Sequence, residues 1–265
     1  QFIVPYTATT IAEYFMEQGK HVLVVYDDLT KHARVHREIS LLLEKNPGRE
    51  AYPADIFYAH ARLLERSANR KKEIGGGSIT SLPIVETESG NISAYVPTNI
   101  ISITDGQIYL SPTLFQNGIL PAIDVGKSVS RIGSAAQLAV YRDTVKTLGM
   151  DYSQFEELES FSKFSMNLDE NTEKIIARGR QIREILKQKL HSPLTAAEQI
   201  GIFMCLNNEV LNKISPEKME EVQKIIVEVV NENSEKFNDT VKSGRILEQN
   251  SMNFFLAKVK SKLGE

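Results

Sequence analysis

The feature that most constrains the fold is a continuous apolar run at residues 22–26 that ends in two acidic residues. Such a run is typical of a strand that is buried on both faces of a parallel sheet and whose polar tip emerges at its carboxyl end. Ligands bind at that end of the strands in sheets of this kind. Further strands are predicted at residues 79–85, 100–103, 107–110 and 122–125.

Segments with helical spacing lie between these strand-like runs in the first half of the chain, and the second half contains only such segments. A helix is predicted over residues 51–70, where Pro53 fits the first turn because its missing N–H is not needed there. Strands that alternate with helices indicate a parallel sheet flanked by helices. From about residue 134 onward the strand-like runs stop, which predicts an all-α domain after the α/β domain. One apolar face with helical spacing in this part consists of Met219, Val222, Ile226, Val229 and Val230.

Composition excludes several classes of protein. The formal net charge of −3 leaves no basic footprint for phosphates, so we expect no nucleic-acid partner. The only cysteine, Cys205, cannot form an internal disulfide, and a reducing, cytoplasmic-side location is the expectation. The longest apolar runs are far shorter than the roughly 20 residues that span a bilayer, so the chain would reach a membrane only through partners.

Two readings fit the acidic end of the first strand. A carboxylate such as that of Asp27 can hold a magnesium ion through water beside bound phosphates, as in a Walker B element. A solvated strand end without any ligand explains the same pattern. Local pattern alone leaves both readings open.

A second short motif imitates a phosphate-binding loop. Gly126, Lys127 and Ser128 match the end of the sequence Gly-x-x-x-x-Gly-Lys-Ser/Thr, whose backbone N–H groups cradle phosphate. The first glycine of that sequence would have to stand at position 121, which is Pro121. Proline supplies neither the N–H donor nor the φ freedom of glycine, so we reject this motif.

The histidines show no grouping that suggests a metal site or a catalytic triad. His32 and His36 lie four residues apart on a predicted helix, but nothing nearby in sequence completes a set of metal ligands. A Ser-His-Asp arrangement without a local signature such as a nucleophile elbow is too weak to support a prediction. We therefore expect surface positions for His21, His32, His36, His60 and His191.

Residues 121–131 read PAIDVGKSVSR, and this segment resembles the signature shared by the alpha and beta subunits of rotary ATPases. Its Ser-Val-Ser-Arg ending is the alpha-type form. The resemblance to alpha subunits of F-type ATP synthases is close over about residues 1 to 165 and looser over the helical tail. Other alpha-like segments follow in the expected order at residues 26–29, 47–53, 62–66, 75–78 and 97–107.

The resemblance implies a definite architecture. Residues 1–137 would be the C-terminal part of a RecA-like P-loop nucleotide-binding domain, and residues 138–265 the all-α helical domain. The chain begins with Gln1 inside an apolar, turn-free stretch, so we expect a fragment or a processed product. In the family a β-barrel and the phosphate-binding loop come earlier in the subunit. ATP or ADP and Mg²⁺ are therefore expected in the intact complex but not bound tightly by this piece, which we expect to be inactive alone.

The resemblance also implies partners and a location. Alpha and beta subunits of the family alternate in a hexameric ring around a rotating gamma subunit, and a delta subunit belongs to the peripheral stalk. The ring would be a peripheral complex at the cytoplasmic face of the bacterial cell membrane, or its equivalent in an organelle. It would couple ATP synthesis or hydrolysis to movement of protons or sodium ions.

Individual residues take roles only through this resemblance. Arg131 matches the arginine finger that enters the catalytic site of the neighbouring beta subunit, and Ser102 matches a serine at the same interface. Asp27 matches the Walker B aspartate of the alpha subunit's own, non-catalytic site, where it would hold the metal through water. The family's residues around the adenine of that site match Phe115, Pro121 and Gln188.

One departure keeps other interpretations in view. Leu120 stands where many alpha subunits have an arginine, so tight binding at the non-catalytic site is in doubt. An alternative function is therefore a divergent alpha-like scaffold or assembly subunit without nucleotide turnover. A third interpretation, a related ATPase of secretion or flagellar export, is disfavoured because those proteins resemble beta subunits more closely.

Overall fold

The computed structural model describes residues 1–162, 169–212, 214–232 and 249–264. The chain divides into two compact units, Gln1–Gln107 and Ile108–Glu265. The domain boundary predicted between residues 137 and 138 stays a prediction. In the described part of the chain, no helix is both long enough and apolar enough to cross a membrane.

The first unit is built around two parallel strands. Its elements are α1 (Val4–Glu17), β1 (His21–Tyr26), α2 (Leu29–Leu42), α3 (Ile56–Leu64), β2 (Ser78–Pro83) and α4 (Tyr95–Ile103). The strands pair in register from His21 opposite Ser78 to Tyr26 opposite Pro83, which confirms the predicted parallel pairing. Short 3-10 helices lie at Arg49–Ala51, Lys72–Ile74 and Glu88–Gly90.

Only one face of β1 is covered by the described elements. Val22 and Val24 pack with α1 residues, because alternate side chains of a strand point to the same face. On the other face Leu23 is 61% exposed and Val25 is 52% exposed. The expectation of a strand buried on both faces is therefore wrong for this chain.

The strand predicted at residues 100–103 is part of a helix. Val96 and Ile100 lie one helical turn apart in α4, and both are buried in the core of the first unit. Pro97 lies in the first turn of α4, where proline is tolerated. The helix propensity that isoleucine and valine lose relative to alanine is at most about 0.7 kcal/mol per residue, so burial at helical spacing outweighs it.

The helix predicted over residues 51–70 is shorter than expected, since α3 spans only Ile56–Leu64. Pro53 lies before the helix, and its carbonyl oxygen accepts a hydrogen bond from Ile56 N. Beyond α3 the backbone runs beside β2, where Ile79 N donates to the carbonyl oxygen of Ala68 at 2.8 Å. This pairing with the strand replaces the hydrogen bonds that a longer helix would have made.

The second unit begins with two paired strands and continues as helices. The strands are β3 (Gly106–Leu110), whose first two residues still belong to the first unit, and β4 (Ile123–Ser130). The rejected phosphate-loop motif is part of β4. A 3-10 helix lies at Pro216–Lys218. The α-helices are α5 (Pro112–Gln116), α6 (Gly133–Ala136), α7 (Ala139–Thr144), α8 (Leu148–Ser162), α9 (Glu170–Leu186), α10 (Ala196–Asn207), α11 (Met219–Glu232) and α12 (Gln249–Leu263).

Helix α10 lies at the centre of the second unit. It begins with a capping box in which Glu198 N donates to Thr195 Oγ1 and Thr195 N donates to Glu198 Oε2. The apolar face predicted for α11 is buried in the same core, which confirms that part of the sequence analysis. The buried residues of α10 include Ile200, Ile202, Phe203, Met204, Cys205 and Leu206.

Three of the histidines are buried, so the expectation of surface positions is wrong for them. His32 Nδ1 lies 3.3 Å from His60 Nε2, and His36 Nε2 lies 2.9 Å from Asp55 Oδ1. The ring of Phe2 stacks on His32 at 4.9 Å and on His36 at 5.0 Å. The spacing of His32 and His36 places both on the inner face of α2. Aromatic stacking and the contacts with His60 and Asp55 offset part of the cost of burial, while His32 Nε2 and His60 Nδ1 have no hydrogen-bond partner among the described residues.

Burial shifts the pKa values of two of these rings. Burial and the nearby His36 lower the pKa of His32 from 6.5 to about 4. Burial and the neighbouring histidines lower the pKa of His60 from 6.5 to about 3. Since the folded-state pKa values lie below the unfolded value, the native state resists protonation. Stability is fully present above pH 6.5 and is lost as the pH falls toward these folded-state values.

We expect His60→Gln to reduce the acid sensitivity of folding. In the unmodified chain each of the two histidines should cost about 1.4 kcal/mol of stability per pH unit below its unfolded pKa. Chemical unfolding at pH 7, 6 and 5, followed by circular dichroism, gives the slope. The control His191→Asn changes an exposed histidine and should leave the slope unchanged. Equal slopes for His60→Gln and the unmodified chain would show that the buried pair does not control acid stability.

We expect Gly179→Ala to destabilise the second unit by about 1–3 kcal/mol, because a Cβ atom at this position of α9 would overlap the buried ring of Phe155 in α8. Gly149→Ala in α8 is the matched control, since, apart from its chain neighbours and the nearby backbone of its own helix, no described atom lies within 4 Å of the added Cβ. That control should be neutral or slightly stabilising. Thermal unfolding of both variants tests this, and equal midpoints would contradict it.

Candidate functional site

The two aspartates at the end of β1 have different surroundings. Asp28 is buried and caps α2, because Lys31 N donates to Asp28 Oδ1 at 2.7 Å and Lys31 Nζ lies 3.1 Å from Asp28 Oδ2. Burial opposes the charge of Asp28, but these contacts with Lys31 outweigh it and hold the pKa of Asp28 below its usual range. Asp27 is exposed and joined to Asp28 by a cis peptide bond. Asp27 is thus the carboxylate presented at the carboxyl end of the strand.

An exposed carboxylate at this place fits a water-mediated metal contact. Mg²⁺ keeps several waters and takes only one or two carboxylates from a protein, so a single aspartate is compatible with it. The described residues contain no group of three or more histidine, cysteine or acidic side chains placed to hold a metal ion. Asp27 could therefore hold magnesium only together with water and a phosphate ligand.

Ser102 lies in the last turn of α4 and is exposed. Its hydroxyl donates a hydrogen bond to the carbonyl oxygen of Asn99 at 2.7 Å. Asn99 is itself buried, and its Nδ2 has no hydrogen-bond partner among the described residues. Sequence analysis did not connect Asn99 with Ser102, because the strand that it predicted at residues 100–103 leaves Asn99 outside the element, whereas α4 contains both residues.

The second unit contains an apolar cavity of about 420 Å³ next to Phe115. Phe115 belongs to α5 and is 66% exposed, so its ring is accessible for stacking. None of the residues that line this cavity is charged. They are Leu110, Ser111, Pro112, Phe115, Gln116, Leu120 and Ala122.

The two other residues assigned to adenine lie beside this cavity. Pro121 follows Leu120 through a cis peptide bond. Gln188 N donates a hydrogen bond to the carbonyl oxygen of Leu120 at 3.0 Å, and Gln188 Nε2 donates to the carbonyl oxygen of Ser192. Phe115, Pro121 and Gln188 are therefore brought together around Leu120. Their binding of nucleotide stays a prediction.

Arg131 follows β4 directly and is exposed. The strand that leads to it is fixed to the second unit, because Val125 packs against the helical core. Within the strand, Asp124 Oδ1 accepts a hydrogen bond from Lys127 N at 3.0 Å. Burial and the neighbouring Asp124 raise the pKa of Glu156 in α8. Sequence analysis missed Glu156, since no local pattern connects it to the signature segment.

Gly126 lies where these two carboxyl groups approach the strand. A Cβ atom at this position would be 3.4 Å from Glu156 Oε2 and 3.6 Å from Asp124 Oδ1. Lys127 pairs with Asp124, since its Nζ lies 3.4 Å from Asp124 Oδ2, and the same Nζ lies 4.9 Å from the centre of the Tyr109 ring. In this structure the lysine of the rejected motif serves an ion pair and a cation–π contact.

The predicted site residues are divided between the two units. Asp27 and Ser102 belong to the first unit, and the other four belong to the second. Within the second unit, Phe115, Pro121 and Gln188 lie together, and Arg131 lies at the far end of the strand that begins after Pro121.

Comparison with known proteins gives two matches along the chain. Residues 1–130 match the family described as ATP synthase alpha/beta family, nucleotide-binding domain. Residues 137–261 match ATP synthase alpha/beta chain, C terminal domain. Their order confirms the predicted fold class, the C-terminal part of an α/β nucleotide-binding domain of the RecA-like type followed by an all-α domain.

Individual relatives are similar over most of this chain. ATP synthase subunit alpha 2 of Syntrophus aciditrophicus is 57% identical over 247 residues, which are 93% of this chain and 48% of the relative. ATP synthase subunit alpha 2 of Syntrophotalea carbinolica is 54% identical over 95% of this chain and 48% of its own length. ATP synthase subunit alpha 1 of Chlorobium luteolum is 63% identical over 78% of this chain and 40% of its own length. The chain thus spans about half the length of the curated relatives it matches.

Proposed function

Because this chain belongs to the ATP synthase alpha/beta family and matches alpha subunits throughout, we propose that it is part of the alpha subunit in the catalytic head of an F-type ATP synthase. In this proposal it alternates with beta subunits in a ring, which also contacts the gamma subunit of the central stalk and the delta subunit of the peripheral stalk. The complex makes or hydrolyses ATP while protons or sodium ions cross a membrane. The chain reaches that membrane only through its partners, at the cytoplasmic face or its organelle equivalent.

The observation that carries the catalytic part of the proposal is the position of Arg131. It is exposed at the end of a strand that is anchored in the helical core through Val125. Phosphoryl transfer builds charge on the γ-phosphate oxygens, and a planar guanidinium with several donors can bind such oxygens in pairs. Arg131 would enter the catalytic site of a neighbouring beta subunit and stabilise this charge. Ser102, also exposed, would contribute a hydroxyl at the same interface.

A non-catalytic nucleotide gives the remaining site residues their role. The base would stack on the exposed ring of Phe115, beside Pro121 and Gln188, in a cavity large enough for a planar group. Asp27 would hold the magnesium of the nucleotide through water, and the metal would neutralise phosphate charge. Most phosphate contacts must come from outside this chain, because it contains no Gly-x-x-x-x-Gly-Lys-Ser/Thr sequence.

A second candidate function is assembly without nucleotide turnover. The specific observation in its favour is Leu120, which gives the cavity an uncharged lining where an arginine would supply donors to the base. In that case the subunit would hold the ring together and the arginine would have no role in turnover. Measuring turnover after substitution of Arg131 separates the two functions.

We expect the isolated chain to bind magnesium-ATP more weakly than micromolar. The backbone donors and the lysine of a phosphate loop supply most contacts to the phosphates in nucleotide-binding proteins of this class, and this chain lacks both. Isothermal titration calorimetry measures the affinity directly. A dissociation constant in the micromolar range or below would show that this chain has its own phosphate site.

We expect Arg131→Ala to lower kcat of the assembled complex by about 10³- to 10⁵-fold, the range known for arginine fingers, with little change in nucleotide affinity at the beta sites. Arg131→Lys should rescue little, since it keeps the charge but loses the planar fork. The control Arg142→Ala removes another exposed arginine of the second unit and should keep full turnover. A loss of less than about tenfold for Arg131→Ala would refute the finger assignment and favour the assembly function.

A further inference from the structure

We propose that Ser128 and Ser130 are positioning residues that fix the backbone on both sides of Arg131. This inference rests on the proposed function, since it concerns the direction in which the Arg131 side chain leaves the backbone. Both serines belong to β4, and Arg131 is the residue that follows the strand. Their hydroxyl groups make hydrogen bonds to the backbone before and after the arginine.

On the upstream side, Ser128 connects its own strand, β4, to β3. Its hydroxyl donates to the carbonyl oxygen of Asp124 at 2.6 Å and accepts from Tyr109 N in β3 at 2.9 Å. A serine hydroxyl has one donor, so the proton on Ser128 is used by Asp124. The hydroxyl of Ser128 thus accepts the hydrogen bond from β3 that a backbone carbonyl group would otherwise accept. It joins β3 to β4 three residues before Arg131.

On the downstream side, Ser130 closes a turn around the arginine. Its hydroxyl accepts a hydrogen bond from Gly133 N at 3.1 Å. Arg131 and Ile132 are the two residues enclosed by this contact, and Gly133 is the first residue of α6. A side-chain bond from one residue to the backbone three positions later restricts the dihedral angles of the residues between them.

Fixing the backbone matters because the guanidinium lies at the end of a long side chain. A backbone tilt of about 10° at the Cα atom moves the guanidinium by about 1 Å, and a misplacement of about 1 Å can cost on the order of a hundredfold in rate. The serines cannot restrict the side-chain rotamers of Arg131. They fix the point and the direction from which that side chain starts.

The test uses the complex assembled from the complete alpha subunit that contains this chain, together with its beta and gamma subunits. We expect Ser130→Ala to lower kcat by about ten- to a hundredfold, with KM and nucleotide affinity at the beta sites changed less than about twofold. Ser130→Thr keeps the hydroxyl and should restore turnover to within about threefold of the unmodified complex. Ser128→Ala should show the same kinetic pattern.

A double substitution distinguishes positioning from general stabilisation. With Arg131→Ala already present, adding Ser130→Ala should lower turnover by less than about twofold, since no guanidinium remains to be aimed. The matched control is Ser160→Ala on α8, which removes an exposed hydroxyl bonded only to the Glu157 carbonyl within the same helix and should leave turnover unchanged. Circular dichroism and assembly of each complex confirm that the variants fold.

The outcomes separate this proposal from the proposed function. If Arg131→Ala loses three orders of magnitude while Ser130→Ala keeps at least half of the activity, the finger stands and the positioning role is refuted. Full additivity of the two losses in the double variant also refutes it, because the serine would then act on the fold alone. If Arg131→Ala itself loses less than about tenfold, both proposals fail. Should Ser128→Ala not fold, the decision rests on the Ser130 variants.

Discussion

The structure around Arg131 depends on the burial of one apolar helix. Helix α10 has buried residues on all sides and must be enclosed by its neighbours, because its apolar surface gains stability only when water is excluded. Val125 of β4 packs against this same core. The direction of the strand, and with it the starting point of Arg131, is therefore set by packing inside the helical unit. Arg131 is thus exposed while the strand that precedes it is anchored by packing.

A comparable division of tasks is found at the end of β1. Asp28 is used for structure, since it caps α2 and pairs with Lys31, while Asp27 stays exposed. Two identical side chains in succession thus take different roles because the backbone turns between them. The cap fixes the start of α2, and this keeps the neighbouring carboxylate at the carboxyl end of the strand. The proposed magnesium contact of Asp27 would thus start from a carboxylate whose neighbour is fixed by the helix cap.

Secondary structure and burial could be predicted from the sequence where they depend on contacts between residues close together in the chain. The sequence pattern was enough to locate β1, β2, β3 and α11, although it did not predict the exposed face of β1. It failed for α4, because β-branched residues favour strands while the tertiary core there accepts a helix. It also failed for His32 and His60, since a contact between residues 28 positions apart decides their burial. The grouping of Gln188 with Phe115 and Pro121 came from family resemblance, as no local pattern spans that distance in sequence.

The uncovered face of the first sheet has a consequence for handling this polypeptide in solution. Leu23 and Val25 are joined there by Leu82, which pairs with Val25 across the two strands and is itself 45% exposed. Each strand of this sheet pairs with only one other described strand. An exposed apolar surface on such a sheet favours association between copies of the chain. Association between copies of the separate chain is then governed by this patch, so dilution, low temperature or mild detergent should improve its recovery, whereas kosmotropic salts such as sulfate should lower it.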